Sequence, residues 1–251
     1  MELTILGASG GWPDAGRACS GYLLTEGPTR VWIDAGSGTL AELLRHARLE
    51  EVDALWVSHL HPDHCSDVGP LRNALAYGDA RRGRPLIVYG PPGWPDWIEA
   101  AVPDAEDTRA AFDMREIEEG VTARIGAIAV TARAVHHGVP TFGGRFEGDA
   151  TVLAYSADSR PCPALPDLAR DADLLLCEAF RSSPEVDAAH TVMTPEEAGT
   201  VAAEAGARSL LLTHLHPCAD RAAARARAAT SFGGPIEVAE QGRTYPVSAA
   251  R

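Results

Sequence analysis

Ten short apolar runs, most of them closed by an acid, a histidine or a glycine, constrain this chain more than any other feature. They are 3-LTIL-6, 22-YLL-24, 31-VWID-34, 52-VDALWVS-58, 86-LIVYG-90, 127-AIAVTA-132, 151-TVLAYSA-157, 173-DLLLCEAF-180, 209-SLLLTH-214 and 235-PIEVAE-240. Their length, β-branched content and bounding Gly, Pro or Asp mark most of them as strands. Helical patterns lie between: 39–48, where Thr39 and Glu42 have capping-box spacing, 194–207, with Thr194 at the N-cap and Pro195 at the first helical position, and 219–229. The early strands run consecutively and the later ones alternate with helices, so a mixed sheet or a pair of sheets covered by helices is expected. Residues 159–170 read as a Pro-bearing loop entering a short helix. No linker or short-period repeat interrupts the 251 residues, which are expected to form one domain over 1–251.

One pattern recurs along these runs. A strand ends, and Asp34, the group His59 to His64, Asp158, Glu178 or His214 stands at its C-terminal end. Strands of an open sheet gather ligand sites at one such rim.

Composition excludes several classes. The formal net charge is −13 and all basic side chains are arginines, whereas a protein gripping a long nucleic acid needs a basic surface. The patch 81-RRGR-84 reads as a solvated loop. Five cysteines without a CxxC pair fit free thiols in a reduced cytoplasmic protein better than a structural zinc finger. No apolar run approaches the roughly 18–20 residues that a membrane span needs, and the N-terminus reads as a first strand.

The densest chemistry is 56-WVSHLHPDHCSD-67. On an extended segment His59 and His61 point to one side and Leu60 to the other, toward the core. Pro62 ends strand pairing and turns the chain, leaving Asp63 and His64 to open the next helix. Two imidazoles then face a carboxylate and a third imidazole. Nitrogen and oxygen donors without thiolates suit Zn²⁺, Mn²⁺ or Fe²⁺ at a catalytic site.

This H-x-H-x-D-H motif after a hydrophobic strand resembles the signature of the metallo-β-lactamase superfamily. The segments 3-LTILGASGG-11, 20-SGYLL-24 and 33-IDAGSG-38 look like the opening strands of its ribonuclease Z-like phosphodiesterase branch. The resemblance implies an α/β fold, an αββα sandwich with a two-metal site at one edge. It implies a third histidine within 135-VHHGVPTFGGR-145, for which His136 and His137 compete; the aromatic-Gly pair that follows favours His137. Asp158 corresponds to the bridging aspartate, with Ala157 in place of the family's glycine, and His214 to the last histidine. The implied first site is His59, His61, His137 and Asp158, and the second is Asp63, His64, Asp158 and His214. They would hold two divalent ions, zinc or alternatively manganese, with a hydroxide between them. His216 would contact phosphate or lie just outside the ligand set.

Features of the branch bear on the substrate. The stretches 177-CEAF-180 and 190-HTVMTPEEAG-199 resemble segments in which a Glu–His pair acts at the leaving-group side. Carried over, Glu178 would orient His190, and His190 would protonate the departing alkoxide or stabilise charge on the phosphoryl oxygens. The resemblance also implies that Asp63 is the proton acceptor. Only 21 residues separate His137 from Asp158, an interval in which similar tRNA-processing enzymes carry a long substrate-gripping arm. The expectation is therefore a small phosphodiester, such as the cyclic nucleotide cAMP. Its base would stack on Trp12, Phe142, Trp94 or Trp97. Alternatives are ribonuclease Z-like RNA processing, a lactonase, thioesterase or lactamase, and a non-catalytic metal-binding protein. Dimers are common among proteins that resemble this one, so a homodimer is allowed.

Overall fold

A computed structural model of the chain describes residues 1–78, 84–102, 105–181 and 190–248; Arg81, Arg82 and Gly83 of the basic patch lie outside them. The first half runs β1 (Glu2–Gly7), β2 (Gly21–Glu26), β3 (Thr29–Ile33), α1 (Thr39–His46), β4 (Ala54–Trp56), α2 (Pro62–Cys65), α3 (Val68–Tyr77), β5 (Leu86–Gly90), α4 (Trp94–Ala101), α5 (Ala105–Ala111) and β6 (Phe112–Glu116). The second half runs β7 (Thr122–Ile125), β8 (Ile128–Ala134), β9 (Phe142–Glu147), β10 (Val152–Tyr155), α6 (Ala164–Leu168), β11 (Leu174–Glu178), α7 (Pro195–Ala205), β12 (Leu210–Thr213), α8 (Arg221–Ala228) and β13 (Ile236–Val238). A last strand, β14 (Thr244–Pro246), crosses back to pair with β1.

Among the described residues these form two sheets, ordered β14-β1-β2-β3-β4-β5-β6 and β13-β12-β11-β10-β9-β8-β7. Each sheet is antiparallel on one side and parallel on the other, the parallel runs being β3 to β6 and β10 to β13. Side chains alternate across each strand, and here both faces are covered. Leu3, Val31, Ile33, Trp56, Leu174, Leu176 and Leu211 meet between the sheets. Trp32, Leu55 and Val57 turn outward to pack under Leu43, Leu71 and Ile98 of the first helical layer. Leu175, Cys177, Leu210 and Leu212 do the same under Ala198, Ala202 and Ala224 of the second. The result is the expected αββα sandwich.

Two local expectations fare differently. Thr194 caps α7 with the full reciprocal box: its side chain accepts from Glu197 N, and the Glu197 carboxylate accepts from Thr194 N. The same spacing at Thr39 and Glu42 gives no such box. The N-cap of α1 is Gly38, at φ 92°. Thr39 is buried and donates to Gly36 O, and Asp67 supplies the carboxylate that takes the Leu40 N–H. A tertiary partner has taken over the cap.

Edge protection is also visible. On β13 the outward carbonyls of Ile236 and Val238 accept from Arg225 and Arg221 of α8.

Candidate metal centre

The site lies where the parallel strands of both sheets end. Asp34 follows β3, Ser58 and His59 follow β4, Asp158 follows β10, Glu178 closes β11, and His214 follows β12. Three of these turns force a non-glycine residue into left-handed backbone: Asp34 (φ 55°), Ala157 (φ 52°) and His214 (φ 51°). Such geometry costs on the order of 1–2 kcal/mol per residue and concentrates where function demands a fixed side chain. It also explains why a glycine is easily placed at position 157. A Cβ on Gly36 would sit 2.1 Å from Asp63 O, so glycine lets the loop after β3 press against α2.

The structure brings the sequence-derived ligands into two adjacent groups, His59, His61 and His137, and Asp63, His64, Asp158 and His214. In the first, His61 Nδ1 lies 3.2 Å from His59 Nε2 and 3.0 Å from His137 Nε2. Asp158 Oδ2 stands 3.9 Å from both His59 and His137. In the second, His214 Nε2 is 3.0 Å from Asp63 Oδ2 and 3.4 Å from Asp158 Oδ2, and His64 Nε2 is 3.3 Å from Asp158 Oδ1. Asp158 therefore stands between the groups. His137, not His136, faces inward. His136 is exposed, and its Nδ1 lies 3.4 Å from the Arg160 guanidinium.

Partners behind the ligands fix which ring nitrogen is free. His137 Nδ1 donates to Thr191 O (2.8 Å). His59 Nδ1 donates to Ser58 Oγ, which donates in turn to Asp34. His64 Nδ1 donates to Asp34 Oδ2 (2.8 Å). In its neutral form each of these rings then presents a bare Nε2 lone pair to the centre, the arrangement that metal-ligating histidines use. Asp34 also accepts from Ser58 N and Tyr155 OH. Its place at the end of an apolar strand was visible in the sequence, but the histidine it orients was not. Thr191 contributes only a backbone carbonyl and leaves no side-chain signal.

The centre fits divalent cations. His64 Nε2 and Asp158 Oδ1 are buried and face each other at 3.3 Å without a well-formed hydrogen bond, and a cation shared between them would satisfy both. Three ring nitrogens crowd together, His59 Nε2 and His137 Nε2 each lying within 3.2 Å of His61 Nδ1. Burial and the neighbouring His64 push the His59 pKa well down. Burial would raise Asp63 and Asp158, but the histidines around them prevail and hold both below the usual carboxylate range. Burial disfavours a charged His64, yet Asp158 and Asp34 outweigh it and raise its pKa. The carboxylates thus call for positive charge at this spot.

Chain-wide comparison agrees. The model of the Beta-lactamase superfamily domain matches residues 29–215. The chain belongs to the metallo-β-lactamase superfamily. Within this superfamily it is 34% identical over 256 residues to the uncharacterized protein Rv1339 of Mycobacterium tuberculosis, covering 100% of this chain and 93% of that one. It is 31% identical to the probable metallo-hydrolase YhfI of Bacillus subtilis, covering 96% and 98%. The crystal structure of YhfI superposes with a TM-score of 0.89 at 29% identity over 97% and 98% of the two chains. A ribonuclease Z of Kineococcus radiotolerans is 32% identical over 94% and 91%. As a metallo-β-lactamase-fold protein with these relatives, the chain is a metal-dependent hydrolase that binds divalent ions.

The remaining sequence-derived residues sort clearly. Cys65 donates to His61 O and Asp67 caps α1, so neither joins the ligand groups. Glu178 is fully buried, and its carboxylate accepts from the backbone N–H of Ser159, Phe180 and Met193. Burial and the charge on Asp158 raise its pKa against those three donors. His190 is half-buried in the segment leading to α7. That segment is fastened through Thr191 O to His137 and through Met193 N to Glu178. His216 stays outside the two ligand groups and accepts from Cys218 N. Among the expected stacking rings, Trp94 and Phe142 are buried in the core, and Trp97 stacks on Trp94; their apolar rings are already used in packing. Trp12 is 47% exposed. Among the described residues, no helix is long and apolar enough to cross a membrane.

Proposed function

We propose that the chain is a binuclear metal-dependent phosphodiesterase for small phosphodiesters, with a cyclic nucleotide such as cAMP as substrate. The observation that carries this reading is the double fastening of the His190 segment, through Thr191 to His137 and through Met193 to Glu178. It ties the backbone just after His190 to His137 and to Glu178, and a proton donor in such a segment would serve cleavage to an alkoxide leaving group.

His59, His61, His137 and Asp158 would hold one ion, and Asp63, His64, Asp158 and His214 the other. Zinc is the ion assigned, and manganese suits the same donors. Two such ions supply Lewis-acid activation of the phosphoryl group and of the attacking water. Asp63, kept ionised by its histidine neighbours, takes the proton that the attacking water loses. As the bond from phosphorus to the ester oxygen breaks, His190 gives its proton to that oxygen. Glu178 acts as a positioning residue, tying the His190 segment to the turn at Ser159, next to Asp158.

The interval after His137 bears on substrate size. Residues 142–155 are taken up by β9, β10 and a tight turn in which Gly148 N donates to Thr151 O, which leaves no room for an RNA-gripping arm. The alignment with the Kineococcus ribonuclease Z runs 291 positions against 251 residues here, so that enzyme carries insertions this chain lacks. With a net charge of −13, this favours a small substrate over tRNA. The free cysteines support a reducing, cytoplasmic setting.

The test is a turnover panel on purified protein loaded with Zn²⁺ or Mn²⁺. It contains bis-p-nitrophenyl phosphate, 2′,3′- and 3′,5′-cyclic nucleotides, a tRNA precursor, a lactone and nitrocefin. Turnover of the phosphodiesters is expected. Turnover confined to the lactone or nitrocefin would refute the proposal, and preference for the tRNA precursor would return it to RNA processing.

A further inference from the structure

Three aromatic rings from three separate segments meet on the Asp63–His214 side of the centre. Phe180, two residues past the end of β11, tilts against the His214 ring at 5.6 Å and against His216 at 5.4 Å. Trp12, from the loop after β1, stands nearly perpendicular to both: 88° and 4.9 Å from His216, 81° and 6.4 Å from Phe180. Perpendicular packing is a favoured aromatic geometry.

The corner is held by the centre itself. Gly11 N donates to Asp63 Oδ2 (2.7 Å), and Gly10 N donates to Leu215 O, one residue past His214. A Cβ on Gly10 would lie 2.6 Å from Phe180 Cδ2 and 2.7 Å from His214 O, so the loop can seat against both only because that residue is glycine. His216 Nδ1 accepts from Cys218 N, which leaves the ring proton on Nε2 as a donor. Trp12 is thus anchored by its backbone neighbours while its indole stays 47% exposed; Trp32, Trp56 and Trp94 are at most 2% exposed.

We propose that Trp12, backed by His216 and Phe180, is the specificity-determining surface that stacks against the heterocyclic base of a nucleotide substrate. This rests on the phosphodiesterase reading and names the part of the substrate that is recognised outside the phosphoryl group. A phosphoryl group at the centre places its ester substituents at the rim, and on the His214 side an aromatic corner is waiting. Stacking tolerates any base because every base has a π-face. The wall therefore selects nucleotides over base-free esters while discriminating weakly among bases.

Two measurements on metal-loaded protein test this. In steady-state kinetics with 3′,5′-cAMP, Trp12→Ala is expected to raise KM about ten-fold, the scale of one lost stacking contact, with a smaller change in kcat. Trp12→Phe should recover most of the loss. Separately, wild-type tryptophan fluorescence is titrated with AMP and with ribose 5-phosphate, which lacks only the base. AMP is expected to quench and ribose 5-phosphate not, and Trp12→Phe should lose the quenching. Equal KM values for wild type and Trp12→Ala, or equal quenching by the two ligands, would overturn the inference. If no phosphodiester turns over at all, the phosphodiesterase reading fails instead, and the fluorescence comparison still decides the role of Trp12.

Discussion

Asp34 accepts four donors, Ser58 N, Ser58 Oγ, His64 Nδ1 and Tyr155 OH, at a position sealed from water. Asn in its place would turn an amide NH₂ toward groups that are themselves donors. Asp34→Asn is expected to weaken metal retention about ten- to a hundred-fold, read by metal content after dialysis against a competing chelator. His190 gives a different signature. His190→Ala should lower kcat on a cyclic nucleotide roughly 10²-fold or more while metal content stays at the wild-type value. Undiminished turnover would remove His190 from the proton path. At this scale the sequence was most informative where chemistry is dense: the spacing of His59, His61, Asp63 and His64 already places their side chains. It could not separate His136 from His137 on geometry, because the deciding partner is the Thr191 carbonyl, 54 residues away. A backbone acceptor has no letter in the sequence.

Capping shows the same limit one level up. Thr39–Glu42 and Thr194–Glu197 carry identical T-x-x-E patterns, yet only the second closes a box. At α1 the packing of Thr39 and the arrival of Asp67 from 27 residues away decide the outcome. At α7 Thr194 and Glu197 keep each other as partners, and the local rule holds. Thr194→Ala should therefore cost about 1 kcal/mol, seen as a lower denaturation midpoint at unchanged slope. Strands were legible where both faces are apolar, as in Leu174–Glu178. They were not where the sheet nears an edge: β6 reads FDMRE and β7 TARI, partly exposed and without a clean alternation.

The two ligand groups draw on both halves of the chain. His59, His61, Asp63 and His64 come from the first, and His137, Asp158 and His214 from the second. Because these donors are assembled only in the folded state, ions bound there stabilise it by mass action, about 2.7 kcal/mol at a hundred-fold excess over Kd. A chelator should lower the melting temperature by several degrees, and adding Zn²⁺ or Mn²⁺ should restore it; an indifferent melting curve would mean that the halves are not joined through this centre. The outer border of β13 bears on a larger scale still. An unpaired strand border is a template on which another chain can add, but Arg221 and Arg225 occupy its carbonyls. Replacing both with alanine should leave the centre's metal content intact and yet produce concentration-dependent light scattering on warming. Those two guanidinium groups act as a chain terminator for intermolecular growth.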